Sequence, residues 1–212
     1  MISFIVPCHN YGKHLKKCIK SILGNQKKLI KEIIIINDSS TDNTKEVAKK
    51  LLRQSKKIKY FEINFKNLSK AMNYGISKLQ SNSIISKIDA DDLIKKNYAK
   101  NLLNFFKLNN LDFLYSDLIV KNKSKIKKYV KIQKINSNLK LFSYPHGSGS
   151  LLKKSLWKKV GGFNEKSFYQ DDYDFWLKIN KLKNIKIGYL NRAFYIYNKH
   201  EKNMSKNIIK KN

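Results

Sequence analysis

The sequence predicts an α/β fold in which a mostly parallel, twisted central sheet carries helices on both faces of a single domain. Short apolar runs alternate with amphipathic segments through the first half of the chain, which is typical of parallel strands joined by helices. A length of 212 residues suffices for one well-buried domain and is short for two. The chain contains no internal repeat and no linker-like segment.

The first half of the chain supplies strands and helices in strict alternation. Continuous isoleucine and valine runs indicate buried strands, and apolar residues spaced three and four apart indicate helices. These patterns predict, in chain order, a strand at 2–6, a helix at 13–23, a strand at 33–36, a helix at 42–53, a strand at 58–63, a helix at 69–79 and a strand at 84–88.

Beyond residue 93 the pattern is looser, and fewer elements are predicted. They are a helix at 98–108, a strand at 113–115, a lysine-rich segment at 121–134, a glycine and serine turn at 146–149, an amphipathic helix from the aspartates at 171–174 to about 182, a strand at 194–197 and a basic tail at 201–212.

The formal charge of +30 comes almost entirely from lysine, because Arg53 and Arg192 are the only arginines. Proteins that read nucleic acid favour arginine for bidentate contacts, and the lysines here form no stripe, so we expect no nucleic-acid partner. A positive surface still attracts phosphorylated substrates and anionic lipid headgroups. Peripheral contact with an anionic membrane therefore stays open.

The cellular location of the protein and the redox state of its cysteines are predicted from the absence of a membrane span, a leader and a disulfide framework. No stretch approaches the roughly 18 uncharged apolar residues of a membrane span, and the chain opens on a strand-like run without a charged leader. We therefore expect a cytoplasmic protein, either in solution or peripheral on the inner face of the membrane. Cys8 and Cys18 are too few for a disulfide framework and are expected to be core thiols.

Two clusters, at 89–92 and 171–174, hold six of the fifteen acidic residues. Carboxylates this close repel one another, so such clusters persist where a metal ion, a cationic group or a proton-transfer role offsets the repulsion. Either cluster alone can equally begin a helix, where carboxylates cap unpaired N–H groups.

Asp89 and Asp91 bracket one small residue directly after a predicted strand. Ligands of open α/β sheets bind outside the carboxyl ends of the strands, so residues 7–10, 37–40 and 89–92 are expected to line one crevice. Two carboxylates so spaced can hold Mg²⁺ or Mn²⁺ while substrate phosphates complete the coordination. Phosphate-loop and dinucleotide-binding glycine motifs are absent.

Six short motifs extend across the chain: FIVPCHNY at 4–11, IINDSSTDNT at 35–44, SKAMNYG at 69–75, DADD at 89–92, GGF at 161–163 and DDYDFW at 171–176. Their order resembles that of glycosyltransferase family 2. The resemblance implies a GT-A fold and an inverting transfer of a sugar from a nucleotide diphosphate donor, usually a UDP-sugar. It also implies an acceptor hydroxyl on a glycan or a lipid-linked acceptor, in surface glycan or polysaccharide synthesis.

Donor and metal roles are implied by the same resemblance. Asp38 matches the carboxylate that accepts a hydrogen bond from the base, Asp89 the carboxylate near the ribose, and Asp91 the ligand of Mn²⁺ or Mg²⁺. Asp89 and His200 are further candidate metal ligands. The remaining implied donor-binding residues are Pro7, His9, Asn10 and Lys70.

The second acidic cluster matches the catalytic part of the family. Asp172 corresponds to the general base, and Asp171 and Trp176 are expected near the acceptor. Three roles keep alternatives, since Asp38 can cap the helix predicted at 42–53, His200 can lie on the surface, and Trp176 can be core.

Several positions depart from the family pattern and bear on the donor. Asn37 stands where an aspartate is usual, Ser39 replaces a glycine, and Met72 replaces an arginine, which leaves Lys70 to supply positive charge. Two further replacements are Asp171 for a glutamate and Asn198 for an arginine.

The resemblance divides the predicted domain into a nucleotide-sugar-binding half at about 1–92 and an acceptor and catalytic-base half at about 93–200. Two rival functions remain at this point. A sugar-phosphate nucleotidyltransferase would need a glycine-rich basic loop after the first strand, which residues 7–10 do not provide. A lysine-rich module that binds polyanions would have no use for the carboxylates.

Overall fold

The computed structural model describes residues 1–122, 125–130, 147–167, 171–201 and 203, in which nine strands and six α-helices are present. The strands are β1 (Ile2–Cys8), β2 (Ile30–Asp38), β3 (Ile58–Ile63), β4 (Ile84–Lys87), β5 (Leu93–Ile94), β6 (Phe113–Asn122), β7 (Lys125–Val130), β8 (Leu151–Lys153) and β9 (Ile187–Lys199). The helices are α1 (Gly12–Leu23), α2 (Thr44–Leu52), α3 (Leu68–Ser77), α4 (Tyr98–Leu108), α5 (Lys154–Lys159) and α6 (Asp171–Asn180). A 3₁₀ turn (Lys27–Leu29) precedes β2.

The strands form one sheet in the order β3-β2-β1-β4-β8-β6-β9-β5, with β7 paired to β6. β1 pairs in parallel with both β2 and β4, and β2 pairs in parallel with β3. β8 is antiparallel to β4 and β6, while β9 is parallel to β6 and antiparallel to β5. Only β5, β7 and β8 among the described strands therefore run against the others, which confirms the predicted mostly parallel sheet.

Each face of the sheet is buried under helices, so the strands are apolar on both sides. Phe4 and Ile33 project into a core shared with α1, α2 and α4. Ile5 and Ile34, one residue further along the same strands, project into a second core shared with α3, α5 and α6. Helices on both faces, as predicted, follow from this alternation along β1 and β2.

The predicted elements are present with shifted ends, and the differences have local causes. β2 extends past its isoleucine run in both directions because its neighbours on either side continue the ladder. α2 starts at Thr44 rather than 42 because the preceding aspartate accepts hydrogen bonds at the start of the helix. Sequence patterns did not indicate β5, β7, β8 and α5, which are two to six residues long.

Several expectations concern segments that the structure describes only in part. The lysine-rich segment contains β7, but its remainder from 131 lies outside the described residues, as does His146 of the predicted turn. Of the predicted basic tail, residues 201 and 203 alone are described. Within the described residues no helix combines the length and apolar character that crossing a membrane requires.

Both cysteines are buried, as expected of core thiols. Burial raises the pKa of the Cys8 thiol to about 12, and it raises that of Cys18 well above its ordinary value. Both groups are therefore neutral at physiological pH.

A single carboxylate joins the starts of α1 and α2. Asp42 Oδ2 accepts a hydrogen bond from the Gly12 backbone N–H at 3.0 Å, and its Oδ1 accepts one from the Thr44 N–H, also at 3.0 Å. A Cβ on Gly12 would lie 2.1 Å from Asn43 Oδ1 and 2.8 Å from the Thr44 nitrogen, so only glycine permits this approach. The two helix N-termini thus share one anionic cap.

We predict that Asp42→Ala lowers the free energy of unfolding by about 2 kcal/mol, since two helix starts lose an acceptor. Burial raises the pKa of Asp42, but the hydrogen bonds from Thr44 and Gly12 outweigh it and leave the pKa below 3.8. The charged carboxylate therefore stabilises the fold above its unfolded pKa, and this contribution is lost as the pH falls through the lowered folded pKa.

Urea unfolding of the wild type, Asp42→Ala and Asp42→Asn between pH 3 and pH 7 checks this prediction. The stability gap between wild type and Asp42→Asn should narrow towards the acid end. A gap that stays constant with pH would contradict the assignment.

Candidate active site

The carboxyl ends of β1, β2 and β4 meet at one edge of the sheet, where each strand is followed by polar residues. The same edge receives the end of β9, because β9 runs in the same direction as these strands. The start of α6 is also joined to this edge through contacts of Asp172 with Lys87. Residues far apart in sequence therefore converge on one crevice, the location expected for a ligand site in an open α/β sheet.

Asn10 joins the loop after β1 to the loop after β2. It has a positive φ of 60°, which asparagine tolerates better than most residues. Its Oδ1 accepts hydrogen bonds from the backbone N–H groups of Thr41 and Asp42, at 2.7 and 3.2 Å. The Asn10 side chain, predicted to bind the donor, thus also holds the two loops at a fixed separation.

Asp38, at the end of β2, is buried and organises the turn that follows β3. Its Oδ1 accepts from the backbone N–H groups of Phe65 and Lys66 at 2.7 and 2.8 Å, and its Oδ2 accepts from that of Asn67 at 2.9 Å. The alternative in which Asp38 caps α2 is wrong, since Asp42 carries out that function. Among the hydrogen bonds of the described residues, Oδ2 accepts the one from Asn67.

Three other predicted donor-binding residues occupy distinct positions. Pro7 is buried in β1. The pairing of β1 with β4 ends at Ile5, so the N–H that proline lacks is not needed for a hydrogen bond to β4. His9 is exposed, with Nδ1 placed 2.6 Å from the Asp38 carbonyl oxygen. Lys70 is exposed on the first turn of α3 and lines a groove of about 670 Å³ with Phe65 and Trp157.

Asp91, in the first acidic cluster, contacts two residues that follow β9. Its Oδ2 lies 2.8 Å from Nε2 of His200 and accepts a hydrogen bond from Nδ2 of Asn203 at 3.1 Å. The His200 ring is itself stacked on His14, with ring centroids 4.9 Å apart and planes 10° apart. The His200 side chain is about 20% exposed and directed at Asp91, and its role as a metal ligand stays a prediction.

The donor atoms around Asp91 suit a divalent cation that also takes ligands from a substrate. Two adjacent ligands of one Mg²⁺ or Mn²⁺ ion lie roughly 3 Å apart, and Asp91 Oδ2 and His200 Nε2 are separated by 2.8 Å. Within the described parts of the chain, no group of three or more His, Cys, Asp or Glu side chains is arranged to hold a metal ion. Among the described residues, Asp91 and His200 are thus a candidate pair of ligands, and a cation there would need further ligands from elsewhere, such as phosphate oxygens.

Burial and neighbouring carboxylates both disfavour negative charge in the first cluster. Burial, and then the neighbouring Asp89 carboxylate, raise the pKa of Asp91. Burial together with Asp89 and Asp91 raises the pKa of Asp92 well above its usual range. A divalent cation beside Asp91 would offset this repulsion.

Asp92 has a structural part in the same cluster. Its Oδ2 accepts a hydrogen bond from the Tyr195 hydroxyl, and its Oδ1 accepts one from the Asn198 backbone N–H at 2.7 Å. These contacts hold the end of β9 against the loop after β4. The first acidic cluster accordingly does not begin a helix, since β5 follows it.

Asp89 and Asp172 bring the two acidic clusters together. Ser148 donates to Asp89 Oδ2 at 2.6 Å, and the Gly147 N–H donates to Asp172 Oδ2 at 3.2 Å. The Lys87 ammonium lies between the two carboxylates, 3.5 Å from Asp89 Oδ1 and 3.4 Å from Asp172 Oδ1. Asp172 sits in the first turn of α6, where the helix dipole also favours a negative charge.

The structure does not bring every predicted acceptor residue to this crevice. Trp176 is only 2% exposed and packs against Phe113 and Tyr115, which places its ring in the core beneath α6. Asp171 is the first residue of α6, and its side chain lies outside what the structure describes.

The sequence patterns missed several residues that complete the site. Lys87 belongs to an apolar strand, Ser148 and Gly147 to a turn, and His14 to the surface of α1. Glycine at 147 was recognisable only as a turn residue, yet a Cβ there would lie 2.1 Å from Asp172 Oδ1. The contacts of Gly147 and Lys87 with Asp172 span 25 and 85 positions of sequence, and such contacts leave no local signal.

The fold and the site define an α/β domain whose ligand crevice, rich in carboxylates, lies at the ends of its parallel strands. Residues 3–173 match the sequence family described as Glycosyl transferase family 2. The chain belongs to this family, which confirms the resemblance found in its motifs.

Curated relatives agree with this membership. An uncharacterized glycosyltransferase of Rickettsia typhi is 32% identical over 196 residues, which cover 87% of this chain and 60% of the relative. The O-antigen biosynthesis glycosyltransferase WbnJ of Escherichia coli is 29% identical over 218 residues, covering 99% of this chain and 84% of that protein. The chain thus spans only part of the Rickettsia relative.

Solved structures share the fold. Residues 1–349 of Staphylococcus aureus TarS in complex with UDP-GlcNAc superpose with a TM-score of 0.78 at 21% identity, covering 95% of this chain and 59% of that one. The mannosyltransferase PcManGT of Pyrobaculum calidifontis, in complex with GDP-Man and Mn²⁺, gives a TM-score of 0.76 at 13% identity and covers 99% and 60% of the two chains.

We predict that Asp38→Ala removes hydrogen-exchange protection from the amides of Phe65, Lys66 and Asn67. The loss of hydrogen bonds to a charged acceptor should lower the free energy of unfolding by about 2 kcal/mol. Exchange measured by NMR reports the turn directly. Glu62→Ala is the control, because Glu62 is an exposed carboxylate at the end of the adjacent strand. Unchanged protection at all three amides would show that Asp38 does not hold the turn.

Proposed function

We propose that this chain transfers a sugar from a nucleotide diphosphate donor, most simply a UDP-sugar, to an acceptor hydroxyl, with inversion at the anomeric carbon. The observation that carries the proposal is the convergence of Asp89, Asp91 and Asp172 at one sheet edge, with Lys87 between the two acidic clusters. Family membership supports a glycosyltransferase and disfavours both a nucleotidyltransferase and a non-enzymatic polyanion-binding module.

The donor would lie across the carboxyl ends of β1, β2 and β4. Asp38 Oδ2 would accept a hydrogen bond from the base, and His9 is exposed beside it, with Nδ1 2.6 Å from the Asp38 carbonyl oxygen. Asp89 would accept from the ribose, while Lys70 would add positive charge near the diphosphate. The UDP-GlcNAc complex of TarS and the GDP-Man complex of PcManGT support a nucleotide-sugar ligand for this fold.

Mn²⁺ or Mg²⁺ is the proposed cofactor, held by Asp91 and His200 with Asp89 nearby. When bound, such a cation neutralises charge that develops on the leaving diphosphate. The Mn²⁺ in the PcManGT complex supports this choice. Asn203 and the stacked His14 ring would keep the Asp91 carboxylate and the His200 imidazole in place.

Asp172 is the proposed general base. It would take the proton from the acceptor hydroxyl as that oxygen attacks the anomeric carbon, while the bond from that carbon to the diphosphate breaks. The Gly147 N–H and the Lys87 ammonium fix the two oxygens of this carboxylate. A carboxylate held in one position loses less entropy when the reactive geometry is reached.

The two halves of the chain would divide the work, with 1–92 binding the donor and 93–200 supplying the acceptor site and the base. The acceptor would be a glycan or a lipid-linked saccharide, and Asp171 would lie near it. The many lysines would suit contact with an anionic membrane surface that carries such an acceptor.

We predict that Asp91→Asn weakens donor-dependent metal binding, because a neutral amide is a poor ligand for a hard cation. The electron paramagnetic resonance signal of unbound Mn²⁺, titrated with protein in the presence of UDP, gives the metal affinity without any turnover. The expected loss is at least about tenfold. Asp174→Asn is the matched control, since Asp174 belongs to the second acidic cluster and accepts a hydrogen bond from Asn164 Nδ2 at 3.1 Å. An unaltered Mn²⁺ affinity in Asp91→Asn would refute the metal assignment.

We predict that Asp172→Asn reduces kcat by about 10²- to 10⁴-fold with little change in UDP affinity, because the amide cannot accept the proton. Product formation from a UDP-sugar and calorimetric UDP binding measure the two effects. Asp174→Asn again serves as the control. Gly147→Ala should also lower kcat, because its Cβ would displace the Asp172 carboxylate. Full turnover in Asp172→Asn would exclude this residue as the base.

A further inference from the structure

Lys87 is a buried cation whose place in the sequence gave no hint of function. It is the last residue of β4, and its side chain is only 6% exposed. We propose that Lys87 is a positioning residue that fixes the Asp172 carboxylate relative to the donor-side carboxylate of Asp89. The proposal rests on the proposed function, in which Asp172 is the base, and adds to it the residue that aligns that base.

The geometry gives Lys87 two anionic partners from opposite parts of the chain. Its Nζ lies 3.5 Å from Asp89 Oδ1, two residues further along, and 3.4 Å from Asp172 Oδ1, which is 85 positions away. One ammonium therefore bridges the donor half and the catalytic half. Because the side chain is buried, Lys87 acts through these carboxylates and does not contact a substrate.

The backbone of Lys87 is as well fixed as its side chain. It pairs with Ile5 at the centre of the sheet, and its carbonyl oxygen accepts a hydrogen bond from the Gly149 N–H at 2.8 Å. The same turn supplies Ser148 to Asp89 and Gly147 to Asp172. Strand β4, this turn and the start of α6 thus form one connected unit with the ammonium at its centre.

The two carboxylates have different contacts with the turn that contains Gly147 and Ser148. Asp89 has a short second contact, the Ser148 hydroxyl at 2.6 Å, whereas the backbone contact of Asp172 with Gly147 is longer, at 3.2 Å. The ammonium also separates two negative groups that would otherwise repel each other in a poorly solvated site. Because Asp172 is the proposed base and Asp89 keeps its contact with Ser148, removal of Lys87 should lower turnover more than donor affinity.

A structural role alone makes a different prediction. Loss of a buried cation leaves uncompensated carboxylates and lowers stability, whatever the function of its partners. That effect reduces the amount of folded enzyme and is the same whether or not residue 172 can act as a base. A double-mutant cycle separates the two roles, because residues that act through one another are not additive.

The experiment compares kcat, donor KM and melting temperature for the full chain as wild type, Lys87→Met, Asp172→Asn and the double variant. We expect Lys87→Met to lower kcat by at least about tenfold while donor KM changes by less than about threefold. In the Asp172→Asn background the same change should lower kcat by less than about twofold. Lys87→Arg should recover part of the loss, because it restores the positive charge.

Each alternative outcome has one meaning. If Lys87→Met lowers kcat equally in both backgrounds, or not at all, Lys87 does not act through Asp172 and the inference is overturned. If Asp172→Asn alone keeps full turnover, the proposed base is wrong, whatever Lys87 does. Should Lys87→Met fail to fold, Lys87→Gln replaces it in the cycle, and failure of both variants to fold would assign Lys87 a purely structural role.

Discussion

The parallel pairing of β1 with β2 on one side and β4 on the other is the constraint on which the rest of the molecule depends. It sets three strand ends side by side, so the loops after Cys8, Asp38 and Lys87 lie next to one another. Apolar side chains on both faces of these strands fix the register, since a slip of one residue would exchange the two cores. The positions of the site residues therefore depend on hydrophobic packing of the strands, at some distance from the site.

Polar side chains at the strand ends mostly hold the protein's own backbone. Asn10, Asp38 and Asp42 each accept two or more backbone N–H groups from another loop or helix start. The loops of the crevice are thus held in place by the protein itself. Some of its polar side chains stabilise the fold and are not needed only to bind a ligand. A residue that matches a binding motif can accordingly have a structural duty that the motif alone does not reveal.

The sequence predicted those features that depend on residues close together in the chain. Runs of isoleucine predicted β2, periodicity predicted α1 and α4 with nearly correct ends, and the two acidic clusters pointed to the residues that converge. It was silent where contacts are long-range, as for Lys87 between Asp89 and Asp172, or for His14 stacked on His200. Two- and three-residue strands such as β5 and β8 also carry too few side chains for a periodic signal. Trp176 lies in the core, as its alternative held and contrary to its expected place near the acceptor, because a motif neighbour of the base need not face the substrate.

The contact between Asp91 and His200 joins residues 109 positions apart, and that between Asp92 and Asn198 joins residues 106 apart. Such separations give the site a high contact order, and loop closure over these lengths makes its formation slow compared with that of helices. A ribosome that has released only the first hundred residues has produced the acidic cluster without the strand that completes it. The half-built crevice then carries clustered carboxylates that lack the histidine and amides that later surround them. Pairing of β9 with β6 is what brings Asn198 and His200 to the two aspartates.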